Sequence, residues 1–180
     1  MKEIPEKITN EEELEELLSR PSNEVIEMFS RIEGDLMFLG INGKIGLSLA
    51  SMAKRACEKA GVSKKIYGVS RFGSSEQRKN IESIGIKTIR GDLLDSGFLK
   101  SLPKVKNVFF LAGTKFGAEN NLPGIWAINS YMPALVAEHF KNSRIVAFST
   151  GCVYPLVHFN SGGSKESDRP VPIGEYAQSC

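Results

Sequence analysis

The sequence predicts an α/β fold in which helices cover both faces of a doubly wound parallel β-sheet. Two observations carry this prediction: short apolar runs alternate with helical patterns along most of the chain, and the connections between them are short. Such alternation calls for parallel strands joined by right-handed crossovers. A third observation is a glycine-rich turn placed directly between the first apolar run and the first long helical pattern.

Composition sets the broad class of the protein. The chain has 180 residues, 41% apolar and 24% charged, which suits one globular domain with a core of its own. The net charge of +2 gives no reason to expect a nucleic acid or a membrane surface as partner. Residues 1–33 carry a net charge of −6 and the remainder +8, so phosphate binding is expected in the remainder.

The cysteines predict a reducing compartment. Cys57, Cys152 and Cys180 are too few and too scattered for a disulfide framework or a zinc site, and no metal site is expected. The sequence has no signal peptide and no apolar run near the length of a membrane span. We therefore expect a cytoplasmic protein with reduced thiols.

Residues 1–33 precede the first strand and are predicted to form a helical appendage. Asn10 is placed to cap a first helix, and Pro21 to Glu24 begin a second one. The appendage is expected to cover a sheet edge, and the alternative is an arm that binds a partner. The predicted domains are thus 1–33, the appendage, and 34–180, a dinucleotide-binding domain.

The first strand, Leu36 to Leu39, is wholly apolar and is expected to be buried on both faces. Three glycines follow at a spacing of three, and an apolar stripe then continues at helical spacing through Ile45, Leu49, Met52, Ala53, Ala56 and Ala60. Gly61 stands where a helix C-terminal cap belongs. A strand, glycine turn and helix in this order predict a Rossmann-type dinucleotide site, because the helix N-terminus attracts phosphate.

The three glycines of this turn have different expected roles. Gly40 permits the tight turn, Gly43 the close approach of a pyrophosphate, and Gly46 the packing of helix on strand. The alternative is three turn glycines without a ligand. We expect the whole turn to contact the cofactor: Gly40, Asn42, Gly43, Lys44, Ile45 and Gly46.

The remaining elements complete the sheet. Strands are expected at residues 66–70, 86–89, 107–111 and 144–148, and helices at 74–84, 95–102 and 123–140. Residues 155–174 are rich in proline and glycine and lack periodicity, so they are expected to form a long loop beside the ligand crevice.

The end of the second strand indicates which cofactor is preferred. Sites that prefer NAD usually place a carboxylate there, but this chain has Ser70 followed by Arg71. Arginine can bind a 2′-phosphate through charge-assisted hydrogen bonds, so NADP is the preferred cofactor and NAD a possible one. The alternative is a solvated arginine without any preference between the two.

Two further turns are expected to contact the cofactor. Asp92 and Leu93 follow the third strand, where the aspartate can accept a hydrogen bond from adenine, cap the next helix, or do both. Leu111, Ala112 and Gly113 end the fourth strand, and the two small residues let the backbone lie against the cofactor.

Several of these motifs stand in an order and spacing that resemble one family. The glycine triplet, Asp92-Leu93, Leu111-Ala112-Gly113 and Asn129 are similar to motifs of the extended short-chain dehydrogenase/reductases, the NAD-dependent epimerase/dehydratase group. The resemblance extends over about residues 35–180. It implies a nicotinamide cofactor, hydride transfer and a small sugar or sugar-nucleotide-like substrate.

The same resemblance implies the catalytic residues. Residues 148–155 are similar to the family's fifth-strand signature, in which the catalytic serine or threonine maps to Thr150. Residues 166–176 are similar to the lead-in to its Tyr-x-x-x-Lys motif, so the catalytic tyrosine maps to Tyr176. The resemblance also implies Asn129 as a third catalytic residue, beside Thr150 and Tyr176.

The chain departs from the family at Cys180, where the lysine of that motif would stand. A phenol has a pKa near 10 and needs a nearby positive charge to act near neutral pH, which a thiol does not supply. Lys115 is the first candidate for a substitute, with Lys165 and Arg169 behind it. The alternative for each is a solvated surface charge.

The chain also stops where the family continues. We therefore expect the cofactor half of a longer oxidoreductase or a truncated product, with the substrate domain largely absent. One alternative is an enzyme, active or inactive in this form. The other is a non-catalytic module for redox sensing or assembly, and Cys180 at the lysine position favours this second alternative. Exposed apolar surface would favour a homo-oligomer.

Overall fold

The computed structural model describes residues 5–115 and 121–180. Five strands form one parallel sheet in the order β3-β2-β1-β4-β5. Their bounds are β1 Leu36–Leu39, β2 Ile66–Ser70, β3 Lys87–Arg90, β4 Asn107–Phe110 and β5 Arg144–Ala147. The doubly wound fold and its strands are confirmed, with shifts of one residue at the ends of β3, β4 and β5.

Helices pack on both faces of this sheet. Their bounds are α1 Glu11–Leu18, α2 Asn23–Arg31, α3 Lys44–Lys59, α4 Ser75–Ser83, α5 Ser96–Ser101, α6 Leu122–Trp126, α7 Met132–His139 and α8 Glu175–Ser179. Strand β1 is fully buried, and its alternate residues pack into two hydrophobic cores, one on each face of the sheet. Leu36 and Phe38 pack with α2, α3 and α4, whereas Met37 and Leu39 pack with α5 and α7.

Strand register brings the functional turns together. Leu39 of β1 lies level with Val69 of β2 and with Phe110 of β4. The chain winds outward from β1 through β2 to β3, then returns to β4 on the other side of β1. The turns that follow β1, β2 and β4 therefore open at one edge, at the point where the winding reverses.

The glycine turn shows why this part of the sequence is rich in glycine. Gly40 has φ +92°, a left-handed conformation that favours glycine. A Cβ on Gly46 would lie 2.4 Å from the carbonyl oxygen of Ile41, so the α3 backbone packs directly on the turn. Gly61, with φ +66°, follows the last turn of α3 as predicted.

The apolar stripe predicted for α3 is partly wrong. Ile45 is 57% exposed, whereas the buried face of the helix runs through Gly46, Ala50, Ala53 and Cys57. The contact between Gly46 and the turn sets the rotation of the helix. Small residues face the sheet as a result, and Ile45 is directed outward.

The N-terminal helices pack mainly against α3, not along a sheet edge as expected. Phe29 of α2 is buried in the core on that face of the sheet. Arg55 of α3 donates hydrogen bonds to the Glu16 carboxylate at 2.9 Å and to the Ser19 hydroxyl at 2.7 Å. An apolar side chain and partly buried polar contacts thus fix the appendage to the helix that follows the glycine turn.

The helix predicted over residues 123–140 consists of three segments. A π-helical turn, Ala127–Tyr131, lies between α6 and α7, and the Met132 backbone N–H bonds to the Ala127 carbonyl. Pro133 has no backbone N–H, and its ring crowds the carbonyl four residues earlier. The wider π turn accommodates that crowding without ending the helix.

The last part of the chain leaves apolar side chains exposed. Edge strand β5 pairs with β4, and Val146 and Phe148 are about half exposed. Residues 155–174 form the predicted long loop, with one short 3₁₀ turn at Phe159–Ser161. Within residues 5–115 and 121–180, no helix is both long and apolar enough to span a bilayer.

Candidate functional site

A cleft of about 240 Å³ opens where the turns after β1, β2 and β4 meet. Most of the residues predicted to contact a cofactor line it: Gly40, Asn42, Gly43, Ser70, Arg71, Asp92, Leu93, Leu111, Ala112 and Gly113. Lys44, Ile45 and Gly46 do not line it. Lys44 and Ile45 are exposed in the first turn of α3, and Gly46 is buried beneath the glycine turn.

The N-terminus of α3 faces this cleft at Gly43. Gly43 is the N-cap residue and provides no side-chain cap, so backbone N–H groups of the first helical turn are available to a ligand. A Cβ on Gly43 would lie 3.4 Å from the Gly40 carbonyl oxygen, an ordinary contact. Folding therefore does not require glycine there, whereas a ligand lying on this turn would.

The end of the cleft beyond β2 is basic. Arg71 is largely exposed, with its guanidinium 4.0 Å from the Asp92 carboxylate. Arg90 of β3 donates from Nε to the Arg71 carbonyl at 3.0 Å, so a second guanidinium borders the same turn. Ser70 adds no charge, and the arrangement can receive a phosphate.

Asp92 does not cap the helix that follows, which was one of its two predicted roles. Its carboxylate accepts the Leu94 backbone N–H at 3.0 Å within the turn. The N-cap of α5 is Asp95, which accepts from the N–H groups of Gly97 and Phe98. Asp92 therefore shapes the cleft wall, and Leu93 is buried behind it.

A second cleft, of about 680 Å³, adjoins the first and shares Leu111, Ala112 and Gly113 with it. It brings together the residues predicted for catalysis: Thr150, Tyr176, Asn129, Cys180 and Lys115. Lys165 and Arg169, the weaker candidates for a substitute cation, are not among the residues that line it. Lys115 is the one lysine or arginine among the described residues of this lining.

Thr150 lies at the start of the 3₁₀ turn Gly151–Val153. Its hydroxyl oxygen accepts the Cys152 backbone N–H at 3.2 Å. Because the oxygen accepts that bond, the hydroxyl hydrogen remains a donor for another group in the cleft.

Tyr176 is carried by α8, which is tied to α6 and the π turn. The indole Nε1 of Trp126 donates to the Glu175 carboxylate at 2.6 Å, and the Ser130 hydroxyl donates to the Ser179 carbonyl at 2.6 Å. The Lys115 ammonium lies 5.1 Å from the centre of the Tyr176 ring and 3.9 Å from the Cys152 sulfur. A cation is thus placed over the ring of Tyr176.

Asn129 connects three parts of the site from within the π turn. Its side-chain oxygen accepts the Thr114 N–H at 2.9 Å, and its amide donates to the Thr114 carbonyl and to the Ser179 hydroxyl. These bonds hold the loop after β4 against α8. Asn129 therefore lines the second cleft but is engaged in fixing its walls.

Sequence reasoning missed several residues that line the two clefts: Val69, Gly91, Ile128, Ser130, Met132 and Ser179. The position of Gly91 directly after β3 was a usable signal, because its neighbours Asp92 and Leu93 are themselves predicted cofactor contacts. No sequence signal indicated Ile128 or Met132, because the π turn changes which side of the helix faces the sheet.

Burial shifts the pKa of two groups outside these clefts. It raises the pKa of the Cys57 thiol in α3 and lowers that of His139, which the nearby Lys104 ammonium lowers further. Across residues 5–115 and 121–180, no three His, Cys, Asp or Glu side chains are grouped in a way that could hold a metal ion.

Comparison with known proteins identifies relatives by sequence pattern and by fold. The model of the NAD dependent epimerase/dehydratase family matches residues 36–179. No curated protein sequence matches the chain.

Solved structures share the fold. ADP-L-glycero-D-manno-heptose-6-epimerase of Helicobacter pylori matches with a TM-score of 0.67 at 16% identity, over 88% of this chain and 50% of that one. Bordetella bronchiseptica WbmG, solved with NAD and UDP, matches with 0.63 at 17% identity, over 82% and 47%. Bacillus cereus UDP-glucuronic acid 4-epimerase, solved with UDP-glucuronic acid and NAD, matches with 0.59 at 21% identity, over 81% and 48%. The chain spans about half the length of these proteins.

Proposed function

Because the chain belongs to the NAD-dependent epimerase/dehydratase family, we propose that it binds a nicotinamide dinucleotide as the cofactor half of an oxidoreductase. The substrate class we propose is a sugar or sugar nucleotide. One observation carries the proposal: the cleft at the glycine turn adjoins, through Leu111, Ala112 and Gly113, the cleft lined by Thr150 and Tyr176. A dinucleotide on the first cleft would extend toward the second.

Three features of the first cleft support a dinucleotide as its ligand. The glycine turn and the N-terminus of the 16-residue helix α3 suit a pyrophosphate, because uncapped N–H groups and the helix dipole both favour an anion. Ala112 and Gly113 leave the wall after β4 free of large side chains. The Asp92 carboxylate and the buried Leu93 supply a polar and an apolar surface for adenine.

The proposed cofactor is NADP, with NAD as the alternative. Arg71 lines the end of the cleft beyond β2, and Arg90 donates a hydrogen bond to the Arg71 carbonyl. Ser70 adds no carboxylate that would repel a 2′-phosphate. The 4.0 Å contact between Arg71 and Asp92 is exposed and weak, so a phosphate could displace it. The NAD named for the Bordetella and Bacillus structures belongs to those proteins.

Three side chains of this chain would serve the chemistry. A bound nicotinamide would supply the acceptor or donor of hydride. Thr150 would donate its hydroxyl hydrogen bond to the reacting oxygen, because its own oxygen already accepts the Cys152 N–H. Tyr176 would move the proton of the substrate hydroxyl, and Asn129 would hold the walls on either side of it.

Lys115 is proposed as the cation that the family's lysine would otherwise supply. Cys180 stands at that position, without charge, whereas the Lys115 ammonium lies 5.1 Å from the Tyr176 ring centre. Lys115 is also the one lysine or arginine among the described residues that line the second cleft. The second candidate function is a binding module without catalysis, and the uncharged Cys180 favours it.

The test is titration of the purified chain with NADPH and NADH, followed by nicotinamide fluorescence and thermal shift, on wild type and Arg71→Ala. We expect NADPH to bind several-fold more tightly and Arg71→Ala to remove that difference while NADH binding persists. If neither nucleotide binds to the wild type, the proposal is wrong.

The proposed partners are the dinucleotide and the sugar-like substrate, with neither nucleic acid nor membrane, in the cytoplasm. Self-association is also proposed, since Val146 and Phe148 expose apolar surface at the edge of the sheet. Sedimentation over a range of concentrations would detect it.

A further inference from the structure

Gln77 of α4 connects two sides of the cofactor cleft. Its side-chain oxygen accepts the Gly73 backbone N–H at 3.1 Å and the Asn42 side-chain amide at 3.3 Å. Asn42 belongs to the glycine turn, and Gly73 belongs to the turn that carries Arg71. One oxygen atom therefore joins the turn after β1 to the turn after β2.

The turn after β2 needs such support. Phe72, next to Arg71, has φ +44°, a conformation that a bulky side chain rarely adopts. Its side chain is 4% exposed, so packing in the core holds it from below. From outside, the bond from Gly73 to Gln77 fixes the same turn two residues after Arg71. The backbone that presents the guanidinium is thereby held from both directions.

We propose that Gln77 is a positioning residue that sets the preference between NADPH and NADH. It holds the Arg71 turn against the glycine turn, so that the guanidinium is placed where a 2′-phosphate would lie. The inference rests on the proposed dinucleotide binding and adds the determinant of its selectivity. Gln77 is not among the residues that line the cleft, so it acts through Asn42 and Arg71.

Both bonds use the same acceptor atom, which provides a precise variant. Because a backbone N–H can only donate, the atom facing Gly73 must be an acceptor, and glutamate offers the same acceptor in the same place. Gln77→Glu therefore keeps both hydrogen bonds but adds a negative charge near the phosphate position. Gln77→Leu keeps the size and removes both bonds. Asn80→Leu, an exposed amide one turn later on α4, is the matched control.

The experiment measures the Kd of NADPH and NADH for the full chain and these variants by nicotinamide fluorescence. For Gln77→Leu we expect the NADPH preference to fall about three-fold or more, since each lost bond contributes a factor of a few. For Gln77→Glu we expect NADPH binding to weaken about five-fold or more, because like charges repel, and NADH binding to weaken less, because NADH lacks the 2′-phosphate. Asn80→Leu should match the wild type.

Two results would overturn the inference. One is a Gln77→Leu variant with an unchanged ratio of the two affinities, and the other is a Gln77→Glu variant that weakens both nucleotides equally. Either result, with a wild type that binds nucleotide, would leave dinucleotide binding intact and remove the role of Gln77. A wild type that binds neither nucleotide would instead refute the proposed function, and this inference with it.

Discussion

Replacing Gly46 by alanine should destabilise the protein, although alanine is normally the better helix residue. Inside a helix, alanine is favoured over glycine by about 1 kcal/mol. Here, however, the new Cβ would lie 2.4 Å from the Ile41 carbonyl oxygen and 2.7 Å from its Cα. Both are backbone atoms that cannot rotate away, so α3 must shift from the turn.

The expected change in stability is the difference between the cost of the clash and the gain in helix propensity. Overpacking of a well-packed site costs about 1–3 kcal/mol, more than alanine gains from helix propensity. Because the clash is with backbone atoms, the upper part of that range applies, about 2–3 kcal/mol. Subtracting about 1 kcal/mol for helix propensity, we expect the free energy of unfolding to fall by about 1–2 kcal/mol. Urea denaturation followed by circular dichroism measures it as a lower midpoint at unchanged slope.

Gly43→Ala is the matched comparison, because it lies in the same turn but has room for a Cβ. Its φ of −76° suits any residue, and its nearest contact would be 3.4 Å. Stability should fall by about 1 kcal/mol or less, the usual effect of alanine at an N-cap. NADH binding should weaken about ten-fold, because the methyl group occupies the position of the pyrophosphate; that factor corresponds to about 1.4 kcal/mol. A Gly46→Ala variant as stable as the wild type would refute this reasoning.

Two further predictions concern groups away from the cleft. Hydrogen bonds from Arg20 and Arg55 lower the pKa of Glu16 to about 2 from its usual 4.5, so its contribution to stability is present above pH 4.5 and is lost as the pH falls toward 2. Urea midpoints of Glu16→Gln should thus lie below those of the wild type near neutral pH and converge with them in acid; an equal gap at every pH would contradict this. Burial raises the pKa of the Cys57 thiol, whereas Cys152 and Cys180 are exposed, so a thiol reagent should label two cysteines in the folded protein and the third only on unfolding. Rapid labelling of all three in the native state would contradict the packing of α3.

The strands and the glycine turn could be predicted because their signals are local. Leu36 to Leu39 are four consecutive apolar residues, and all four are buried. The backbone at Gly40 and the close contact at Gly46 both require glycine, so their spacing in the sequence reflects geometry directly. Family motifs then placed Thr150 and Tyr176, which line one cleft in the structure.

The rotation of α3 could not be predicted from its apolar pattern. The predicted stripe begins at Ile45, whereas the buried face begins one residue later, at Gly46. Hydrophobicity points to the stripe at Ile45, but the close contact of Gly46 with Ile41 turns the other face toward the sheet. The predicted capping role of Asp92 is filled by Asp95, which stands directly before α5.

Contacts between distant residues were also beyond sequence reasoning. Gln77 has the pattern of an exposed polar residue of α4, and its partner Asn42 lies 35 residues earlier. The bonds of Asn129 to Thr114 and Ser179 likewise depend on how the chain returns to one edge of the sheet. No periodicity reports such contacts, since they arise only after the elements pack.

The π turn at Ala127–Tyr131 places one extra residue in a helical cycle. Consecutive helical residues are about 100° apart around the helix axis. The extra residue therefore rotates the residues of α6 by about that angle relative to α7. Deleting one residue from this turn would remove that offset and leave the Pro133 ring crowding the preceding helical turn. It would also rotate Asn129 away from Thr114 and Ser179 while Val136 and Phe140 stayed packed on the sheet. The angular offset between the wall of the second cleft and a core helix is therefore encoded here by the number of residues in the turn, not by their type.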